Sequence, residues 1–260
     1  MNNNIDCWAN VASFASVSTY GKPAFPMQMT SPILRLRCSG PLAIFTRPEL
    51  KTERFSYPVP TPSALRGVLE AVLWKPAIAW HIHRIHVLNP IQFTSFRRNE
   101  VNSKAVAPRA SILAGGGAAP KFYADEDRAQ RNTVALSKVD YLVEARFTLT
   151  ERAGEGDTVA KFAAMFDRRV EKGQVFQQPY FGCRECAADV RTPDGNEKAI
   201  GETQDLGLML WDVAFRTVKG KSDNRPIFYW ARMEMGVISV PESEDAARAS
   251  LIEYQKKGGA

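Results

Sequence analysis

A chain of 260 residues, 45% hydrophobic and 24% charged, can bury a sizeable core as one large domain or two small ones. Lys plus Arg outnumber Asp plus Glu by 34 to 28, a modest positive excess that suits polyanionic partners without singling them out. No apolar run of about 18 residues is present, so no membrane span is expected, and the first 30 residues have neither the basic start nor the apolar stretch of a signal peptide, so a cytoplasmic protein is expected.

Residues 1–30 show no periodicity and read as a flexible leader, with Met27 and Met29 standing just before the first strand. Leu34, Leu36 and Cys38 alternate with Arg35 and Arg37, the pattern of a strand with one buried face, and Gly40-Pro41 ends it. Thr61-Pro62 supplies an N-cap and a proline at the first helical position. Leu65, Val68, Leu69, Val72 and Leu73 then follow at helical spacing until Pro76. Ile78, Trp80 and Ile82 form a second strand, and the run from Ile91 to Phe96, after Asn89-Pro90, forms a further edge strand.

From 99 to 137 periodicity fades, and the Gly115–Gly117 stretch suggests a long, partly mobile insertion. Val139, Tyr141, Val143, Ala145, Phe147 and Leu149 alternate with polar residues as a half-buried strand. Asp157 is placed to cap a helix with Val159, Phe162, Ala163, Phe166 and Val170 on its apolar face and Gly173 past its end, and a strand is expected near 174–181. This order is α+β, a ferredoxin-like βαββαβ domain over 31–182. Met209, Trp211, Val213 and Phe215 alternate, a polar turn follows, and an aromatic-rich strand returns. A small antiparallel β-rich domain is therefore expected over 183–240, with a polar, disordered tail over 241–260.

Four cysteines do not make a disulfide framework. Cys183 and Cys186 form a C-x-x-C, but no second pair of soft ligands accompanies it, so no metal is expected there. The three histidines, His81, His83 and His86, share one strand. On a regular strand His81 and His83 face one side and His86 the other, so they do not form one cluster and read as satisfied strand residues, with a catalytic role for one of them as the sharper alternative. Arg47, Lys51, Arg54, Phe55 and Tyr57 lie on a proline-bounded loop, where cations can meet phosphates and aromatics can stack on bases. Arg97 and Arg98 end an edge strand from which they could grip RNA backbone; a plain surface pair is the alternative.

Several runs carry a specific resemblance: Gly40 to Glu49, Ser56 to Ala64, Trp74-Lys75-Pro76, Val87 to Ile91, Arg97 to Val101, Val139-Asp140-Tyr141, Gln177-Gln178-Pro179, Gly182 to Glu185, and Asp205-Leu206-Gly207. Over about residues 31 to 238 the chain resembles the CRISPR-associated RAMP proteins of the fifth Cas family, Dvulg subtype, from type I-C systems. The resemblance implies a metal-independent endoribonuclease, needing no cofactor, that binds the repeat of CRISPR RNA and cleaves it by 2′-hydroxyl attack. It implies further that the protein stays on the 5′ handle with the other subunits of a type I-C surveillance complex, and through that complex meets target DNA. Among the positions the family uses for this chemistry, Lys161 is retained as the catalytic cation, whereas Leu73 and Phe162 stand where the family has proton-transfer groups. That pair separates the enzyme from its rival, a structural RNA-binding cap without nuclease activity.

Overall fold

The computed structural model describes residues 29–50, 53–103, 110, 114, 121–218 and 221–256. The leader up to residue 28, Lys51, the Gly115–Gly117 stretch and residues 257–260 lie outside the described residues.

One long strand organises the sheet. β5 (Arg128–Leu149) pairs antiparallel with β1 (Leu34–Ala43) along one flank and with β3 (Ile78–Val87) along the other. Beyond the ends of those strands, the N-terminal half of β5 takes β2 (Arg54–Phe55) and β4 (Phe93–Val101). The expected insertion is therefore ordered strand at both of its ends, because β4 and β5 satisfy each other's backbone groups from Phe93↔Leu136 to Val101↔Arg128. Helix α1 (Pro62–Val72) crosses from β1 to β3, and α2 (Val159–Glu171) follows β5.

Both helices follow from their sequence. Thr61 is extended and its hydroxyl accepts from the Ala64 amide at 3.3 Å, Pro62 opens the first turn, and Leu65, Val68, Leu69 and Val72 are buried. In α2 the cap is Thr158 rather than Asp157: the Thr158 hydroxyl accepts from the Lys161 amide, while Asp157 turns to the Gly154 amide and the Lys161 ammonium. Phe162, Phe166 and Val170 are its buried face, and Trp80 meets Phe147 and Phe166 at ring distances of 5.3 and 5.0 Å. Each such ring contributes roughly 1.5–3 kcal/mol by leaving water.

The strand expected at 174–181 is absent from that segment. The amides of Phe176 and Gln177 are spent on the Ala71 carbonyl at the end of α1, and the Phe181 amide goes to Cys186. Its place beside β1 is taken by β6 (Asp189–Arg191), so the local order β6-β1-β5-β3 reads fourth, first, third, second, all antiparallel, as in a ferredoxin-like layer. Gly182 allows the chain to pass: it sits at φ +79°, and a Cβ there would stand 1.9 Å from the Ile44 carbonyl oxygen.

The hairpin of β7 (Gln204–Val218) and β8 (Lys221–Glu234) joins the same sheet through β9 (Val237–Ser239), which pairs with β3. Residues 241–260 are not wholly irregular as expected. Helix α3 (Glu244–Lys256) forms because Ser243 caps the Ala246 amide, Ala247 is fully buried and Tyr254 stacks on Trp230 at 3.3 Å.

Candidate nucleic-acid interface

The two ends of the loop, residues 45–47 and 55–57, are tied together rather than free. The Arg47 amide donates to the Phe55 carbonyl, the Tyr57 amide to the Phe45 carbonyl, and the Phe45 amide to the Ser56 hydroxyl. Within it the Arg47 guanidinium lies 4.8 Å from the centre of the Tyr57 ring and 5.8 Å from that of Phe55. A cation over two aromatic faces is held in place; the Arg47 side chain is half-buried, with Nη1 3.6 Å from the Glu49 carboxylate. Tyr57 does not take the expected stacking position: it is fully buried beneath Arg47, and burial pushes its hydroxyl up to about 12. The exposed ring is Phe55, with Phe93 from β4 6.0 Å away and also exposed.

Alternation along β4 sorts the arginine pair. Arg97 shares the face of Phe93 and is exposed, whereas Arg98 turns to the opposite face. There Glu100 gathers three cations, Arg54 at 3.2 Å, Arg98 at 3.2 Å and Arg131 at 3.7 Å, and Glu185 adds a second contact to Arg98. Arg54 also donates to the Cys183 sulfur at 3.4 Å. The loop and strand residues therefore divide into an outward set of Arg47, Phe55, Phe93 and Arg97, and a set of Arg54 and Arg98 engaged in an internal ion network. Phe93 escaped sequence reasoning because only its strand, not its neighbour across β5, was legible. Among the described residues no group of three His, Cys, Asp or Glu side chains converges as metal ligands would; Cys183 and Cys186 are buried, and burial pushes the Cys186 thiol up to about 11.

Lys161 stands exposed in the first turn of α2, its ammonium 3.0 Å from Asp157 and 3.2 Å from the Gly156 carbonyl. Asp157, also within electrostatic reach of Lys75, is held below the usual carboxylate range chiefly by its bond to Lys161. Leu73 and Phe162 are buried, Leu73 offering only its carbonyl, to the Trp80 indole. The corner thus holds cations but no proton-transfer side chain at those two positions.

The histidines are placed differently from the regular-strand expectation. A β-bulge between Ile82 and Arg84 inserts His83 as an extra residue, so that Ile82 and Ile85 both point into the core and His81, His83 and His86 all turn to the opposite side. His81 approaches the Thr148 hydroxyl at 3.0 Å, His83 the Glu242 carboxylate at 3.5 Å, and His86 the Glu144 carboxylate at 3.6 Å.

The Cas5d family model, described as a CRISPR-associated protein of the Cas5 group, matches residues 33–241. The chain belongs to the Cas5d family. Among Cas5d relatives, the CRISPR pre-crRNA endoribonuclease Cas5d of Mannheimia succiniciproducens is 42% identical over 217 residues, covering 80% of this chain and 94% of the relative. The protein of the same name from Thermus thermophilus is 37% identical over 239 residues, covering 86% and 98%. A crystal structure of a CRISPR-associated protein shares the fold at a TM-score of 0.59 and 24% identity, covering 82% of this chain and 94% of the other. The match spans the ferredoxin-like layer, the Arg47 loop and the β7–β8 hairpin, so the surface described above is built on the Cas5d scaffold itself.

Proposed function

We propose that this Cas5d chain binds the repeat of CRISPR RNA, cleaves the precursor as a metal-independent endoribonuclease, and remains on the 5′ handle as a subunit of a type I-C surveillance complex. The observation that carries this reading is the pair of relatives named pre-crRNA endoribonucleases, matched at 42% and 37% identity over nearly their whole lengths. The outward set Arg47, Phe55, Phe93 and Arg97 supports it, because unpaired RNA is held by stacking on aromatic faces and by cations on the phosphates. Lys51 extends the basic character of this loop in sequence. Lys161 contributes a positive contact to an RNA phosphate or to the charge that develops on it during cleavage. Arg54 and Arg98, through their network, position the loop and β4 rather than touching RNA first.

The test is single-turnover cleavage of labelled repeat RNA in EDTA, with products read for a 2′,3′-cyclic phosphate and a 5′-hydroxyl. Cleavage at one position in the repeat is the expected result. Buried Leu73 and Phe162 favour one second reading, the structural cap, and tight repeat binding with no product at any enzyme excess selects it.

A further inference from the structure

Cleavage by 2′-hydroxyl attack needs a group that takes the hydroxyl proton and returns one to the leaving oxygen. The Lys161 corner has no such group at the family positions, since Leu73 and Phe162 are apolar and buried. Histidine is the side chain suited to this work near neutral pH, and the chain has three, all on β3. His81, just before the bulge, lines an open cleft between α1, β3 and β7, where Ser63, Arg66, Trp211, Asp212 and Glu242 also converge.

The cleft is built from rigid elements. Arg66 is held by both carboxylate oxygens of Asp212, the second at 2.9 Å, and by Glu70 at 3.8 Å one helical turn on. A second bulge, between Leu210 and Asp212 in β7, places that aspartate at the cleft. The Trp211 indole donates to the Pro241 carbonyl at 2.9 Å, fixing one wall. His81 is oriented by Thr148 at 3.0 Å, and burial first, then Arg66 and Arg146, outweigh Glu242 and Asp212 to hold its imidazole down to about 4. It is therefore neutral at pH 7, the form that accepts a proton. An RNA phosphate entering beside Arg66 adds negative charge and moves the imidazole back toward neutral pH.

We propose that this cleft is the proton-transfer site of the cleavage reaction, with His81 as acid and base and Arg66, clamped by Asp212 and Glu70, as the fixed cation that positions it. The inference rests on the endoribonuclease reading above. His81 takes the proton of the ribose 2′-hydroxyl as the bond from that oxygen to phosphorus forms. The bond from phosphorus to the 5′ oxygen then breaks, and the imidazolium returns its proton to that oxygen. The products are a 2′,3′-cyclic phosphate and a 5′-hydroxyl, with no other reactant consumed. Lys161 lies apart from this centre: Ser63 and Arg66 belong to the first turns of α1, which is about 16 Å long, while Lys161 and Lys75 lie beyond its far end. It therefore contacts a different phosphate.

Single-turnover cleavage of repeat RNA in EDTA, with RNA affinity and thermal melting measured on the same samples, tests the assignment. His81→Gln, which keeps a polar group toward Thr148, is expected to slow cleavage by about 10²- to 10⁴-fold at near-parental affinity and melting temperature. Lys161→Ala is expected to slow it by less than about tenfold. Arg66→Lys retains a charge for Asp212 and Glu70 and serves as the second variant, with an expected loss beyond about tenfold. Parental rates in His81→Gln, or in Arg66→Lys should His81→Gln not fold, overturn the cleft while leaving the enzyme reading intact. Absence of product from the unaltered protein, with RNA bound, overturns both.

Discussion

Arg47 and Arg54 share one short loop, yet their surroundings assign them different work. Arg47 rides on the faces of Tyr57 and Phe55 and pairs with exposed Glu49 at 3.6 Å, a loose surface contact that it can exchange for an RNA phosphate. Arg54 sits between Glu100 and Cys183, where neutralising a phosphate would mean giving up contacts already made. Arg47→Ala should weaken repeat RNA binding and lower the slope of log affinity against log salt by about one. Arg54→Ala should leave that slope nearly unchanged and lower the melting temperature instead. Filter binding from 50 to 300 mM salt checks this, and equal slopes for the two variants would remove the distinction. Both arginines are visible in the sequence; which of them faces outward is decided by Glu100, forty-six positions further on than Arg54.

At the scale of elements, the connection after α2 positions the RNA-facing loop. Residues 174–188 form no ladder strand; they cap the end of α1, present Phe181 to Phe45 and Tyr141, and pass Gly182 directly over Ile44. Gly182→Ala would impose both a disfavoured φ and a backbone collision, so it should destabilise the fold by more than about 2 kcal/mol. Because Ile44 leads straight into the Arg47 loop, RNA affinity should fall as well. Urea unfolding is the check, and a midpoint shift below about 0.3 M would contradict the close approach at a typical slope. Helices α1 and α2 and the alternating strands were legible because each carries one period and one cap. The capping segment was not, since its amides bond to groups far away in sequence.

For the whole molecule, the polar side of β3 links charge to stability. His81 protonates near 6.5 in an unfolded chain and at about 4 in the folded one, so between those values the unfolded state binds more protons. Stability contributed by neutral His81 is thus complete above pH 6.5 and is lost as pH falls toward 4, by up to about 3 kcal/mol. His86, also lowered chiefly by burial, adds in the same direction. The charged groups that face His81 are Arg66 and Arg146, which oppose its protonation, and Glu242 and Asp212, which favour it. Melting curves from pH 7.5 to 4.5 should show a steep fall in the unaltered protein and a shallower one in His81→Gln. Identical slopes would mean that the imidazole is not held neutral by the fold.

By itself the sequence determined the ferredoxin-like order up to its fourth strand, which it placed at 174–181 instead of Asp189–Arg191, together with both crossover helices and the resemblance to the Cas5d proteins, since these rest on local periodicity and runs of motif residues. It also located the basic loop around Arg47. Only the tertiary structure decided that Tyr57 is buried, that Arg54 and Arg98 are held by Glu100, and that the three histidines share a side. Two reasons apply, the first to the histidines and the second to the loop and β4. A strand's pattern predicts which face a residue takes only while pairing stays regular, and a single extra residue at His83 reverses every assignment after it. Partners brought together across β5 from opposite flanks leave no periodic trace in the chain. The same holds for the cleft, where His81 from β3, Arg66 from α1 and Asp212 from β7 meet only through the tertiary packing, with a bulge in β7 just before Asp212.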